Sequence, residues 1–183
     1  GKTMKVFINP GHAPDGNPDP GATNARTGLR ECDVALEVAS SLAYYLNLVN
    51  IESKVVQSDS LSEVVLASNE WDANLFISIH CNAYNETARG TETWYYHCSD
   101  LGAELANCVQ KQIIDSINTV NRGIKGAKPG VNGLYVLTHT VAPAILVELA
   151  FIDNDDDAAI LANRIDDFAK AIARGITDYS FGV

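Results

Sequence analysis

Short apolar runs alternate along this chain with longer stretches in which apolar residues recur at helical spacing. The runs at residues 74–80 ("NLFISIH") and 144–152 ("AILVELAFI") predict buried strands, whereas residues 33–49 and 165–176 carry the apolar stripe of an amphipathic helix. Parallel strands need crossover connections, which helices usually supply. The pattern therefore predicts an α/β fold, a single domain over residues 1–183 whose twisted, mostly parallel sheet of about six strands is flanked by helices on both faces.

The same signals predict the remaining elements. Further strands are expected at residues 5–8, 52–58 and 91–97, and further helices at residues 61–69 and 99–117. Two glycine-rich segments are expected to be surface loops, one over residues 10–28 and one, "NRGIKGAKPGVNG", over residues 121–133. If Met4 is the native start, residues 1–3 are additions ahead of it.

The charge balance argues against two classes of partner. Asp and Glu number 23 against 13 Lys and Arg, so the formal charge is -10 and the isoelectric point is about 4.7. Nucleic acid and anionic lipid repel such a chain. The apolar runs are also far shorter than the roughly 20 residues that a membrane-spanning helix needs. We therefore expect no nucleic-acid partner and no membrane span.

One carboxylate lies in the middle of an apolar strand. Glu148 follows four apolar residues and precedes four more in "AILVELAFIDN". A buried carboxylate must find a partner, bind a metal, or raise its pKa and become neutral. A buried ion pair, or a strand end at which the side chain reaches water, would explain Glu148 as well as a functional role would.

Three residues of metal-ligating type occur at informative places. His12 and His80 each follow a predicted strand, and Glu31 closes the long loop beside the first predicted helix. In open α/β sheets, functional groups gather at the carboxyl ends of the strands. Two imidazoles and one carboxylate are a ligand set of hydrolytic zinc sites. Taken singly, each histidine is explained as a surface residue and Glu31 as an acid that complements the helix dipole.

Several motifs together resemble a known family. The chain contains "INPGHAPDGNPDPGA", then Glu31 ahead of an apolar helix, then "LFISIHCNA", "GTETWYY", "NRGIK", "LYVL" and "PAILVELAFIDN", in this order. This series is similar to the zinc-dependent N-acetylmuramoyl-L-alanine amidases of the Amidase_3 type, which cleave peptidoglycan. The resemblance runs over nearly the whole chain, and its most specific parts are the segments around His80 and Glu148.

The resemblance implies a function and a site. It implies one Zn²⁺ ion per chain, bound by His12, Glu31 and His80, with Glu148 as the catalytic acid-base. The substrate would be peptidoglycan, cut at the amide between N-acetylmuramic acid and the L-alanine of the stem peptide. Two alternatives stay open: a zinc peptidase or carboxypeptidase that acts within the stem peptide, and an inactive module that binds the cell wall. We expect a monomer that acts outside the cell, in the cell wall or periplasm, or as a phage lysin.

Two further features are left open by the sequence. The four cysteines suit small buried thiols, or one or two disulfides of an exported protein. If the family site forms, Cys32 and Cys81 both flank metal ligands, which motivates a disulfide between them as a hypothesis. The basic residues Arg122, Lys125 and Lys128 give a second hypothesis, namely contact with the anionic glycan-peptide.

Overall fold

The computed structural model of the chain describes residues 3–132 and 134–182, so Gly1, Lys2, Gly133 and Val183 lie outside the description. The strands of the described residues are β1 (Lys5–Pro10), β2 (Glu52–Val55), β3 (Leu75–Asn82), β4 (Thr91–Tyr96), β5 (Asn121–Ala127) and β6 (Ala144–Phe151). The helices are α1 (Glu31–Leu48), α2 (Leu61–Glu70), α3 (Asp100–Ser116), α4 (Tyr135–His139), α5 (Asp155–Asn163) and α6 (Ile165–Ser180).

All six strands belong to one sheet in the order β2-β1-β3-β6-β4-β5. Four of the neighbouring pairs are parallel, and only β4 and β6 run antiparallel. The predicted α/β fold with a mostly parallel sheet is therefore confirmed. Because β4 is reversed against β6, the start of β4 lies beside the end of β6.

Apolar clusters cover both faces of the sheet. The larger cluster lies between one face and helices α1, α3 and α6, and includes Ile77, Val147 and Phe168. The smaller cluster lies between the other face and helices α2 and α4, and includes Phe76 and Leu146. The predicted cover of helices on both faces is confirmed.

The period-2 alternation of strand side chains explains how apolar strands carry polar groups. In β6, Val147 and Leu149 belong to the larger cluster, whereas Leu146 belongs to the smaller one. Glu148 is two residues beyond Leu146, so it shares that residue's face. The smaller cluster does not extend over this end of the face, and polar groups take its place.

One predicted loop is wrong. The segment expected to be a loop over residues 121–133 begins with β5, which pairs with β4 at the edge of the sheet. Its sequence, NRGIKGA, lacks the apolar alternation of a strand, so the pairing with β4 outweighs the local propensity. The remainder of that segment is loop up to residue 132, and Gly133 lies outside the described residues. The boundary of α1 also differs, because the helix begins at Glu31 itself.

The hypothesis of a disulfide between Cys32 and Cys81 is contradicted, because both residues are thiols in the structure. The side chain of Cys81 is buried in the larger apolar cluster. Cys32 lies outside that cluster, and its Sγ hydrogen-bonds to Asp33 at 3.7 Å. Adjacency to Glu31 and His80 therefore does not join the two sulfur atoms in a disulfide.

Within the described part of the chain, no helix is both long and apolar enough to cross a lipid bilayer.

The buried carboxylate of Asp157 connects the end of β6 with the loops that precede β4 and β5. Its Oδ2 accepts hydrogen bonds from the backbone N–H of Gly90 (2.8 Å) and Phe151 (2.9 Å). Its Oδ1 accepts one from the Thr119 hydroxyl at 2.6 Å and lies 3.4 Å from Arg89 Nε. Gly90 precedes β4, Thr119 precedes β5 and Phe151 ends β6. One side chain therefore holds three strand ends in register.

We expect Asp157→Asn to lower the free energy of unfolding by about 1–3 kcal/mol, because the amide nitrogen cannot accept and leaves a buried donor without a partner. Asp156→Asn is the matched control, since the Asp156 side chain is 75% exposed and contacts Arg89 at 3.4 Å. That variant should change the free energy by less than about 0.5 kcal/mol. Urea unfolding of both variants measures the difference, and equal midpoints would contradict this role of Asp157.

Candidate metal centre

Three residues from distant parts of the chain meet at the carboxyl end of the sheet. His12 lies in the loop after β1, Glu31 is the first residue of α1, and His80 lies near the end of β3. One potential ligand atom from each lies within 4.8 Å of the others. We call these three residues the His–Glu–His cluster. The three residues that the sequence analysis grouped therefore lie close together in the structure.

The carboxylate of Glu31 joins the two imidazoles. Its Oε1 lies 3.0 Å from His12 Nε2, and its Oε2 lies 3.0 Å from His80 Nδ1. The backbone N–H groups of Ala22 (2.9 Å) and Cys81 (3.0 Å) donate to the same two oxygens. Burial alone would raise the pKa of Glu31, but the hydrogen bonds from the two histidines outweigh burial and hold this pKa well below its usual range. Glu31 is therefore a buried anion.

His12 is fixed from its other side by Asp19. His12 Nδ1 lies 2.7 Å from Asp19 Oδ2, and Asp19 Oδ1 accepts from the backbone N–H of Gly21 at 2.9 Å. The hydrogen bonds to Glu31 and to Asp19 raise the pKa of His12 to about 9 against the opposing effect of burial. The same contact lowers the pKa of Asp19. His12 thus directs Nε2 to the cluster and Nδ1 to Asp19.

His80 is fixed by a buried chain of polar groups on its own face of the sheet. His80 Nε2 lies 3.0 Å from the hydroxyl of Ser78, which donates to Asn9 Oδ1 at 2.8 Å. The Asn9 side chain in turn donates to the Val56 carbonyl at 3.1 Å. Ser78 is fully buried and Asn9 nearly so. This chain fixes the plane of the imidazole so that Nδ1 faces Glu31.

Two glycines allow the backbone to approach the cluster. A Cβ on Gly11 would lie 2.4–2.9 Å from the imidazole atoms of His80, closer than real side chains pack. A Cβ on Gly21 would lie 2.5 Å from His12 Cδ2 and 2.6 Å from Glu31 Oε1. His12 itself has a left-handed backbone with φ of 69°, which is uncommon for a residue with a side chain. The backbone of the loop after β1 therefore adopts the conformation that brings the His12 imidazole to Glu31.

Glu148 lies beside the cluster. It is the direct neighbour of His80 in the register between β6 and β3. Its Oε2 is buried and has no hydrogen-bond partner among the described residues. Burial is the main reason that the pKa of Glu148 rises to about 7. This carboxyl group can therefore both accept and release a proton near neutral pH.

A cavity of about 530 Å³ opens next to Glu148. Its lining includes Trp94, Arg122, Lys125 and Phe151. A larger cavity of about 940 Å³ lies at the amino ends of β1 and β3, where Lys5 and Leu75 line it, and it contains none of the four site residues. The smaller cavity is lined by Glu148 and therefore lies beside the cluster.

The buried carboxylate of Glu92 is the centre of a second group of polar side chains in this cavity. Its Oε1 accepts from Arg122 Nε at 2.9 Å and from Asn82 Nδ2 at 3.0 Å. Its Oε2 accepts from Trp94 Nε1 at 2.8 Å and lies 3.1 Å from Lys125 Nζ. Burial would raise the pKa of Glu92, but the hydrogen bonds from Arg122 and Lys125 outweigh it and lower this pKa. Glu92 is the cross-strand neighbour of Glu148.

The structure brings together all four residues that the sequence singled out, and it adds others that the sequence analysis missed. Ser78 could have been found, because it lies two residues before His80 and therefore on the same face of the strand. Asp19 had no such signal, since the loop also contains Asp15. The two remaining described histidines are elsewhere: His97 contacts Tyr96, and His139 stacks on Tyr135.

The donor set fits a small divalent cation. Ligand atoms around a tetrahedral zinc ion are about 3.3–3.6 Å apart, and zinc hydrolases use three protein ligands of histidine and carboxylate type. In the cluster, both histidine–carboxylate contacts are 3.0 Å and all three donors lie within 4.8 Å. Each imidazole also has an oxygen atom near its second nitrogen, which is the usual arrangement for metal ligands.

The chain is similar to proteins of known family. The profile of Amidase_3, described as N-acetylmuramoyl-L-alanine amidase, matches residues 6–178. The N-acetylmuramoyl-L-alanine amidase LytC of Bacillus subtilis is 34% identical over 95% of this chain and 35% of its own length. The sporulation-specific N-acetylmuramoyl-L-alanine amidase of the same species is 33% identical over 94% of this chain and 65% of its own length. The chain thus spans about a third of one relative and just under two thirds of the other.

A solved structure shows the same fold. The crystal structure of N-acetylmuramoyl-L-alanine amidase from Clostridium difficile 630 superposes with a TM-score of 0.87 and 30% sequence identity. The match covers 99% of this chain and 98% of that one. The similarity therefore extends over the sheet, its covering helices and the loops that carry the cluster.

The ion pairs of His12 make the stability of chelator-treated protein depend on pH. The folded pKa of about 9 lies above the ordinary value of 6.5, so this contribution is complete below pH 6.5 and is lost as the pH rises through 9. We expect the free energy of unfolding to fall by about 1–3 kcal/mol over that range. Urea unfolding at a series of pH values measures the decline. Asp19→Asn removes one partner of His12 and should reduce it, whereas an unchanged slope would contradict this assignment.

Proposed function

The chain belongs to the Amidase_3 family of N-acetylmuramoyl-L-alanine amidases, and we propose that it hydrolyses the amide between N-acetylmuramic acid and the L-alanine of the peptidoglycan stem peptide. We further propose that the His–Glu–His cluster binds one Zn²⁺ ion and that Glu148 transfers the proton. The observation that carries the proposal is the position of Glu148, a carboxyl group of raised pKa whose buried Oε2 lacks a partner and which neighbours His80.

His12 Nε2, His80 Nδ1 and a carboxylate oxygen of Glu31 would hold the ion. When bound, zinc polarises a carbonyl oxygen and lowers the pKa of water, which is the activation that amide hydrolysis at neutral pH requires. Asp19 and Ser78 keep the two imidazoles oriented toward the ion. The dense hydrogen bonding around Glu31 keeps its carboxylate ionised and therefore able to bind a cation.

Glu148 would move the proton. In the proposed reaction its carboxylate takes a proton from the attacking water and then donates that proton to the amine that leaves with L-alanine. A group can serve in both steps only if its pKa is near the working pH, and burial raises the pKa of Glu148 to about 7. The apolar strand around Glu148 is what supplies this burial.

The two alternatives are less favoured for separate reasons. A zinc peptidase could use the same ligand set, but membership of the amidase family favours the bond to N-acetylmuramic acid. An inactive wall-binding module would not need a buried carboxyl group beside a complete ligand set. We propose the cell wall or periplasm as the place of action, because the substrate lies there. The monomeric state stays a prediction.

Digestion of purified muropeptides tests the choice of bond. We expect a new amino terminus at L-alanine, together with a free lactyl carboxyl group on N-acetylmuramic acid. Cuts inside the stem peptide would favour the peptidase, and intact muropeptides in the presence of bound zinc would favour the binding module.

In the same assay, Glu148→Gln should reduce the rate by about 10²–10⁴-fold, because the amide keeps the shape of the side chain but cannot take a proton. Zinc content measured by elemental analysis should stay at the wild-type level, which separates loss of the base from loss of the metal. The wild-type rate should rise with pH through an apparent pKa no higher than about 7. A fully active Glu148→Gln variant would remove this residue from the mechanism.

The partners of His80 also determine its tautomer. Nδ1 can bind a cation only as an unprotonated nitrogen, so the proton of the neutral ring must be on Nε2. Because the Ser78 hydroxyl donates its hydrogen to Asn9, its lone pairs are available to accept from His80 Nε2. The Asn9–Ser78 pair can therefore hold the proton on Nε2 when a cation takes the place of the hydrogen bond between His80 Nδ1 and Glu31.

We expect Ser78→Ala to weaken zinc binding by about 10–100-fold, the range typical of outer-shell partners. Ser68→Ala is the matched control, because Ser68 is equally buried but its hydroxyl has no hydrogen-bond partner among the described residues. Competition with a chromophoric chelator measures both affinities. If the two variants bind zinc equally well, the orienting role of Ser78 is wrong.

A further inference from the structure

Two cations line the cavity beside Glu148, in a chain whose net charge is -10. Arg122 and Lys125 both come from the edge strand β5, and their side chains are 33% and 34% exposed. Only one anion of the cavity, Glu92, contacts them. Two positive charges against the one charge of Glu92 leave a surplus of one positive charge around Arg122 and Lys125. Glu148 lines the same cavity but is not among their contacts.

Glu92 cannot take part in binding a ligand because its acceptor positions are used. Each of its oxygens accepts from two donors, namely Arg122 and Asn82 at Oε1 and Trp94 and Lys125 at Oε2. Its role is to hold the two cations in place. The donors that remain on those cations are the groups that face a ligand.

The remaining donors are arranged for a carboxylate. Arg122 bonds Glu92 through Nε alone, and its two terminal nitrogens have no partner among the described residues. Its guanidinium lies 4.8 Å from the ring centre of Phe151, and Lys125 Nζ lies 5.7 Å from that of Trp94. These aromatic contacts restrict the positions of the Arg122 guanidinium and the Lys125 ammonium group. A planar fork beside an ammonium group suits a carboxylate.

We propose that Arg122 and Lys125 form a subsite for a carboxylate of the stem peptide, two or three residues beyond the bond that is cut. The inference rests on the proposed function. β5 is two strands from β6, so the backbone of Lys125 lies about 10 Å across the sheet from the backbone of Glu148 at the usual strand spacing. An extended peptide advances about 3.3 Å per residue and covers that distance in about three residues.

The subsite also gives the substrate a direction. In the proposed substrate, the lactyl carboxyl of N-acetylmuramic acid is tied up in the amide and carries no charge, so the carboxylates are on the peptide side. The peptide would therefore run from Glu148 over β4 toward β5, and the glycan would lie on the side of β3 and β1.

The test uses synthetic muropeptides that differ in one group. In the first substrate all peptide carboxylates are free; in two others the carboxylate of the second or of the third residue is a primary amide. We expect wild-type kcat/KM to fall by about 10–100-fold for one of the amidated substrates, the range for a charge-assisted pair. The fall should be mainly in KM, because the subsite is remote from the reacting bond.

Two variants then test whether the loss of kcat/KM depends on Arg122 and Lys125. Arg122→Gln and Lys125→Gln should each lower kcat/KM for the free carboxylate by about 10-fold or more and leave the amidated substrate nearly unchanged. Lys128→Gln is the matched control, since Lys128 follows the same strand but does not line the cavity. Zinc content and unfolding temperature show whether each variant keeps its fold.

The outcomes separate the two claims. Equal kcat/KM for all three substrates, with cleavage still before L-alanine, would overturn the subsite and leave the proposed function in place; this comparison needs no variant. Cleavage elsewhere, or none, would overturn the proposed function and the subsite with it. Discrimination that persists in both variants would overturn the assignment to Arg122 and Lys125.

Discussion

The carboxylate of Glu31 lies between two imidazoles, and the arrangement of the site depends on it. Four donors converge on its two oxygens, two from histidine rings and two from the backbone. Removing so buried an anion from water is costly unless it is fully paired. The long loop after β1, the start of α1 and the end of β3 must therefore meet at one point. The same requirement places two histidine nitrogens where a cation can bind.

The sheet supplies the second half of the site through its alternation. On one face of β3, β6 and β4, the residues near the carboxyl end of β6 are Ser78, His80, Glu148 and Glu92, while apolar residues fill the opposite face of β3 and β6. The strands can be almost wholly apolar in sequence because only one side chain in two faces the cavity. Burial of the Glu148 side chain within the sheet raises its pKa. The same strands thus supply both the apolar core and the polar side chains of the site.

The sequence was sufficient for the fold class, because strand ends and helix starts are visible as changes of period. The four central residues were singled out by the resemblance, since each of them taken singly has an ordinary structural explanation. His80 and Glu148 could be placed in strands, but their register, which makes them neighbours, is set by tertiary pairing. The strand β5 was missed since its glycines and charged residues have no strand signal, and with it the position of Arg122 and Lys125 beside Glu92. Asp19 was missed because nothing local distinguishes it from Asp15.

The central claim is that one zinc ion is bound by His12, Glu31 and His80. A crystal of the full chain grown with zinc, measured above and below the zinc absorption edge, tests it most directly. We predict a single strong anomalous peak about 2.0–2.2 Å from His12 Nε2, His80 Nδ1 and a Glu31 oxygen. A fully loaded crystal with its anomalous peak at other residues, or with the two imidazoles turned away from each other, would contradict the account.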